Sequence, residues 1–223
     1  MFEAREKKLG LRAQKHLRRR AGILRVAQQL FSSKGYDDTR MSEIAEQAGV
    51  TTPTVFNNFG SKVELLLAVI VTAHEAACAR ADETRAAWRG DVAGGVCKIL
   101  RVYLENMDGI LSKQAWRLAE ASYITMPDSE FVRMFASIDE RNAAQLEAFL
   151  AQALPDRVMR PGIPALLART IYSTWLARYV EFIRDDEQDP EEFQGLVERD
   201  VTGLLALILD PAAPPARAGQ SGA

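Results

Sequence analysis

The chain has 223 residues, 48% of them hydrophobic, with 28 Lys or Arg against 30 Asp or Glu. That length holds one domain of moderate size, or two small ones sharing a core, and the apolar share is enough to build it. The longest apolar run, Leu65 to Val71, is far below the roughly 18 residues that span a membrane, and no apolar segment follows the basic N-terminus, so a cytoplasmic protein without leader or membrane contact is expected.

Charge is unevenly spread. Residues 1–62 hold 12 Lys or Arg and 6 Asp or Glu, a net of +6, which leaves −8 for residues 63–223. A basic end on a mildly acidic body suits a nucleic-acid-binding head, because phosphate neutralisation supplies much of the affinity. Residues 1–16 read as a basic flexible arm running into His16-Leu17-Arg18-Arg19-Arg20. Such an arm could track phosphates or enter a minor groove; the plainer reading is a disordered tail merging into a solvated helix.

The next segment, 17–62, carries the most informative stretch, TRMSEIAEQAGVTTPTVFNNFGSK from Thr39 to Lys62. It reads as two short helices joined by a tight turn. Thr39 is the expected N-cap of the first, without a capping box because Ser42 stands three places on. Met41, Ile44, Ala45 and Ala48 face inward at helical spacing. Gly49 sits where a left-handed C-cap is wanted, and Val50 plugs the turn. Thr51 caps the second helix and Pro53 falls in its first turn, where a missing N–H does no harm. Val55 and Phe59 form its buried side, so Thr52, Pro53, Thr54, Asn57 and Asn58 face out. Ser61-Lys62-Val63-Glu64 fits a capping box for the following helix. Lys62 there opposes the helix dipole by roughly 0.3–1 kcal/mol, a sign that a docked DNA phosphate would reverse; the alternative is a solvated lysine on a turn.

Beyond the head the spacing predicts helix after helix: 62 to about 86, 91–109, 112–123, 127–154, 164–184 and 190–209. Residues 185–189 form an acidic turn, and residues 210–223, rich in Pro, Ala and Gly, are expected to be a disordered tail. Cys78 and Cys97 stand without paired spacing and fit reduced cysteines, with redox sensing the minority reading. Tyr172, Trp175, Tyr179 and Phe182 make a stripe down one helix, and Leu196, Gly203 and Leu207 another down the last; either packs inside the chain or against a second copy. Trp116, Glu120 and Tyr123 share a face at i, i+4 and i+7, and Tyr103, Met107, Phe135 and Trp175 could line a cavity with them, or simply form core. Neither His16 nor His74 has Glu three places before it, as helical-bundle metal sites favour, and no nucleophile motif or phosphate loop appears. No catalytic residue, metal or cofactor is expected.

The run Thr39, Ile44-Ala45, Ala48-Gly49-Val50-Thr51, Phe56-Asn57-Asn58-Phe59, Ser61-Lys62 and Leu65-Leu66 resembles the TetR family of bacterial repressors, with Ala27, Leu30, Phe31, Gly35 and Tyr36 upstream resembling the end of its first helix. The likeness covers about the first third of the chain. It implies that Thr52, Pro53 and Thr54 meet bases or backbone and that Asn58 and Lys62 meet phosphates, with Thr39 and Asn57 as further DNA-binding candidates. The family usually has Tyr where this chain has Phe56, so one phosphate hydrogen bond worth roughly 1 kcal/mol is missing and Phe56 is assigned to packing. The resemblance also implies a four-helix dimer interface, to which Tyr172, Tyr179, Leu196, Gly203 and Leu207 are assigned. It implies a small-molecule pocket too, for which Tyr103, Met107, Trp116, Glu120, Tyr123, Phe135 and Trp175 are the candidates.

The expectation is therefore an all-α chain. A helix-turn-helix head over 17–62 follows the 1–16 arm, and a ligand-binding and dimerisation body over 63–209 precedes the tail. Its function would be a ligand-responsive regulator, a repressor that binds a pseudo-palindromic DNA operator as a homodimer and is released by a small-molecule effector. A ligand-independent DNA-binding or architectural protein is the alternative, and an all-helical enzyme a distant third.

Overall fold

A computed structural model describes residues 10–108, 111–154 and 163–208. The expected tail and the first nine residues of the expected arm lie outside them. Among the described residues the regular structure is all α-helix: α1 Leu11–Ser33, α2 Met41–Gln47, α3 Thr52–Phe59, α4 Lys62–Ala87, α5 Val92–Asp108, α6 Lys113–Thr125, α7 Glu130–Ala153, α8 Ile163–Arg184 and α9 Pro190–Ile208. The spacing located α4 to α9 to within a few residues. Two details differ. Residues 11–16, expected in the arm, already belong to α1, and α7 starts at Glu130 because residues 126–129 turn after α6. No helix among the described residues is long and apolar enough to cross a membrane.

Contacts divide the chain into two units, one from Met1–Thr72 with Ile110–Val132, the other from Ala73–Gly109 with Arg133–Ala223. In the first, α1 buries Ile23, Leu24, Val26, Ala27, Leu30 and Phe31, the stripe a helix needs to face a core. Met41, Ile44 and Ala45 of α2 and Val55 and Phe59 of α3 are buried with it, as is the run Leu65–Ile70 at the start of α4. The α6 residues Ala115, Trp116, Ala119 and Ser122 are buried too.

The second unit is organised by aromatic rings. Trp175 of α8 lies parallel to Tyr172 (5.8 Å between centroids) and to Tyr179 (5.6 Å), and meets Tyr103 and Phe193 edge-on. These are the geometries aromatic quadrupoles favour. Phe193, Val197, Val201 and Leu205 recur every four residues along α9 and are buried, and α9 packs on both α5 and α8. Gly95 on α5 is required by close approach: a Cβ there would stand 2.1 Å from the Phe149 ring of α7.

A polar thread runs through this core. His74 Nε2 and Asn142 Oδ1 are 2.9 Å apart, Asn142 Nδ2 donates to Tyr172 Oη at 3.0 Å, and Tyr172 Oη donates to Asp139 Oδ1 at 2.7 Å. Beside it, Tyr103 Oη donates to Gln145 Oε1 (2.9 Å) and Gln145 Nε2 to the Cys78 carbonyl (2.8 Å). Burial drives the His74 pKa down to about 4, so the ring is neutral, and it pushes the Cys78 and Cys97 thiols up. Thiols so placed are poor nucleophiles, which weighs against the redox-sensing alternative.

Candidate nucleic-acid interface

The turn between α2 and α3 is built as its residues dictate. Gly49 takes φ +65°. Its N–H donates to Glu46 O at 3.1 Å while Val50 N–H donates to Ala45 O at 2.9 Å, the pair of bonds that closes a Schellman motif. Thr51 then caps α3: its hydroxyl accepts from Thr54 N at 3.3 Å and pairs with the Thr54 hydroxyl at 2.9 Å. Pro53 lies in the first turn. At the other end, Gly60 with φ +74° stops the helix and its N–H returns to Phe56 O at 2.7 Å.

The expected capping box at the start of α4 forms in variant shape. Ser61 Oγ accepts from Glu64 N at 3.1 Å, but the Glu64 carboxylate accepts from the Ser61 hydroxyl (3.2 Å), while Ser61 N–H goes to Phe59 O. The four polar side chains expected to face out from α3 differ in what they have to offer. Asn57 is exposed and Thr52 half-buried, and neither has a side-chain hydrogen bond among the described residues. Thr54 is tied to Thr51, and Asn58 spends one amide donor on Thr54 O at 2.7 Å.

Two expectations are corrected. Thr39 is not the cap of α2; Arg40 occupies that position without a side-chain bond. Thr39 is only 1% exposed and donates its hydroxyl to Gly35 O at 2.7 Å, so it braces the turn after α1 and its side chain is turned away from any surface ligand. Phe56 is not packing: the residue is 45% exposed on the outer side of α3, while Val55 and Phe59 fill the inner side.

Lys62 has partners of its own. Its ammonium donates to Asp37 O at 3.2 Å and sits 4.2 Å from the centre of the Tyr36 ring, and burial is the main reason its pKa falls. It pins the turn between α1 and α2, which Gln114 of α6 also holds by a bond to the Asp37 carboxylate. Arg20 was missed. Its Nη1 donates to Asn58 O at 2.8 Å and its guanidinium lies 4.4 Å from the Phe59 ring centre, so α1 grips the C-terminal end of α3. The signal was there: Arg20 falls three and seven places before Ile23 and Ala27, an arginine on the apolar stripe of its own helix. Arg12, Lys15, Arg18 and Arg19 of α1 are exposed.

The expected pocket residues divide between the units. Trp116, Glu120 and Tyr123 belong to the first, where Trp116 is buried, Glu120 half-buried and Tyr123 exposed. Tyr103, Met107, Phe135 and Trp175 belong to the second, with Tyr103 and Trp175 in its aromatic core and Met107 and Phe135 half-buried. The indole Nε1 of Trp175 is buried without a hydrogen-bond partner among the described residues.

The residues assigned to a dimer face also separate. Tyr172 and Tyr179 are buried within the chain, Leu196 is half-buried, and Gly203 and Leu207 are exposed, Leu207 at 86%. The outer face of α8 is instead Leu166, Thr170, Ser173, Ala177 and Val180, all exposed at alternating steps of four and three. Beside it runs a groove that also takes in Arg178 and Asp200, joined at 2.7 Å.

Comparison with known proteins agrees with this geometry. The family model described as bacterial regulatory proteins, tetR family, matches residues 23–69. The regulator TtgR of Pseudomonas putida is 30% identical over 202 residues, which cover 86% of this chain and 93% of that protein. The transcriptional activator FasR of Mycolicibacterium smegmatis is 44% identical over 52 residues, 23% of this chain and only 24% of that protein. Among solved structures, the Thermus thermophilus repressor FadR in complex with lauroyl-CoA superposes with a TM-score of 0.62 at 20% identity, over 90% of this chain and all of that one.

Proposed function

The chain belongs to the tetR family of bacterial regulatory proteins, and on that premise we propose that it is a dimeric repressor whose α3 reads a pseudo-palindromic operator and whose body answers to a small molecule. The observation that carries this reading is the outer face of α3. That helix is fixed at its start by Thr51 and at its end by Arg20, and it presents Pro53, Phe56 and Asn57 to solvent with the half-buried Thr52 beside them. A recognition helix must hold such a face rigidly at the depth of a major groove.

Affinity comes from charge and specificity from α3. Arg12, Lys15, Arg18 and Arg19 supply cations along α1, and Lys62 adds one at the start of α4. Thr52 and Asn57 are the base-reading polar side chains, while Thr54 and Asn58 set the local shape of the helix and meet the backbone with what donors remain. Thr39 acts only by bracing the turn.

Two copies join through the exposed face of α8 with Leu207 and Gly203 of α9, so that two α3 helices stand about 34–36 Å apart, one turn of duplex. Repression follows where that operator overlaps a promoter; FasR, similar over 52 residues, is named an activator.

The effector binds in the second unit, around Tyr103, Met107, Phe135 and Trp175, whose orphan indole N–H is a donor waiting for an acceptor. FadR of Thermus thermophilus, which shares the fold, is a repressor solved in complex with lauroyl-CoA. α4 begins at the head with Lys62 and carries His74 and Cys78 in the second unit's polar thread, so displacement of that thread alters α4. Such coupling is reciprocal: operator DNA weakens effector binding by the factor by which effector weakens DNA binding. Thermal shifts against a metabolite panel, followed by the melting shift of each hit with and without operator duplex, test this. A hit whose stabilisation is unaffected by operator overturns the release mechanism; a panel with no hit favours the ligand-independent alternative.

A further inference from the structure

We propose that Phe56 reads a thymine methyl group in the major groove, an inference that rests on the DNA-reading function of α3 argued above. Phe56 is the one aromatic ring on α3 that faces solvent. Phe59 on the same helix is 2% exposed and Phe31 of α1 fully buried, whereas Phe56 is 45% exposed and makes no ring contact among the described residues. Leaving so much apolar surface in water gives up transfer free energy that an occupant would recover.

The neighbours of the ring select that occupant. Thr52 and Pro53 stand four and three residues before Phe56, hence on the same side of the helix. Pro53 contributes ring carbons and no backbone donor. Thr54 has its hydroxyl turned to Thr51 at 2.9 Å, and Asn58 has an amide donor turned to Thr54 O at 2.7 Å. The face therefore has an apolar centre, Pro53 and Phe56, flanked by two polar side chains, Thr52 and Asn57. A DNA phosphate offers nothing to a ring without a hydroxyl. The floor of the major groove offers one apolar group, the C5 methyl of thymine, beside the hydrogen-bonding edges that Thr and Asn can use. Because α3 is pinned at both ends, the ring is delivered at a fixed place in the groove, and the methyl it meets lies at a fixed position in each half-site.

The test removes only that methyl. Wild-type protein selects sequences from a random duplex pool, and the enriched duplex is resynthesised with each thymine in turn replaced by uracil. Uracil at one position per half-site is expected to weaken wild-type binding about fourfold, the worth of one buried methyl group. Phe56→Tyr keeps that penalty because the ring remains, and Phe56→Ala binds the thymine and uracil duplexes equally. A wild-type protein indifferent to uracil everywhere, or a Phe56→Ala variant that keeps the full penalty, overturns the assignment while leaving α3 as the DNA reader. A pool with no enriched sequence overturns both.

Discussion

The guanidinium of Arg20 donates to the main-chain carbonyl of Asn58 at 2.8 Å while lying over the Phe59 ring, so the orientation of α3 is set by a residue of α1. A hydrogen bond from a charged donor is worth about 1.5–3 kcal/mol, and a cation over a partly desolvated ring adds about 0.5–1 kcal/mol. Arg20→Ala is expected to lower stability by about 1–2 kcal/mol, discounted because the group is part-exposed. It should also cost specific DNA affinity more than non-specific affinity. Urea melts with paired titrations of enriched and random duplexes check this. Equal loss on both duplexes would mean Arg20 acts as a phosphate contact and not as a clamp.

Lys62 separates two roles by salt dependence. If its charge reaches a phosphate, Lys62→Ala flattens the slope of log affinity against log salt by about one unit on every sequence. The ammonium is already bonded to Asp37 O and stacked over Tyr36, so the same variant should also loosen the turn between α1 and α2. An unchanged slope with a lower melting temperature would confine Lys62 to the turn.

Phe56→Tyr should leave stability within about 0.5 kcal/mol, as expected of an exposed site. DNA affinity should be equal or higher, since the added hydroxyl can donate to a phosphate for roughly 1 kcal/mol. Filter binding at a fixed salt concentration measures it. A strong loss would show that the groove around the ring has no room for one oxygen.

His74 gives stability a pH dependence with a defined sign. Its folded pKa, about 4, lies below the ordinary value of 6.5, so the unfolded chain binds the extra proton between those values. Stability is full above pH 6.5 and is lost as pH falls towards 4, by on the order of 3 kcal/mol from this group. Asp139, whose carboxyl is raised by burial, works in the opposite direction near its own pKa, so the comparison must be between variants. His74→Gln should flatten the fall between pH 6.5 and 4 in urea melts. An equally steep fall in the variant would move the effect to other groups.

How much of this was written in the sequence follows from the range of the forces. The α2–α3 turn was legible because caps and left-handed glycines act over four or five residues: Gly49, Thr51 and Gly60 do locally what their chemistry requires. Helix α3 also buries Val55 and Phe59 as their spacing demands. Thr39 misled because a threonine before a helix can cap it or bond backward, and the choice depends on where Gly35 O lies after the turn. Arg20 was missed because its partner is 38 residues away. The aromatic stripe of α8 showed periodicity without direction: Tyr172, Trp175 and Tyr179 look the same in sequence whether they meet α5 and α9 or a second copy. Only the tertiary arrangement turned the exposed face to Leu166, Ala177 and Val180.

That face sets the dimer prediction. Ala177→Glu places like charges against each other across a two-fold axis, where an isologous interface brings the same patch of both copies together. The variant should sediment as a monomer at micromolar concentration, with its helical circular dichroism unchanged. A variant that stays dimeric would move the interface off the α8 surface.

The most direct test of the whole account is selection of bound sequences from a random duplex pool at near-physiological salt. Two α3 helices held by a dimer predict an enriched pseudo-palindrome whose half-sites are centred one helical turn apart, or a multiple of it. An enriched single half-site, or salt-sensitive binding with no enriched sequence at all, would contradict a dimeric operator-reading repressor.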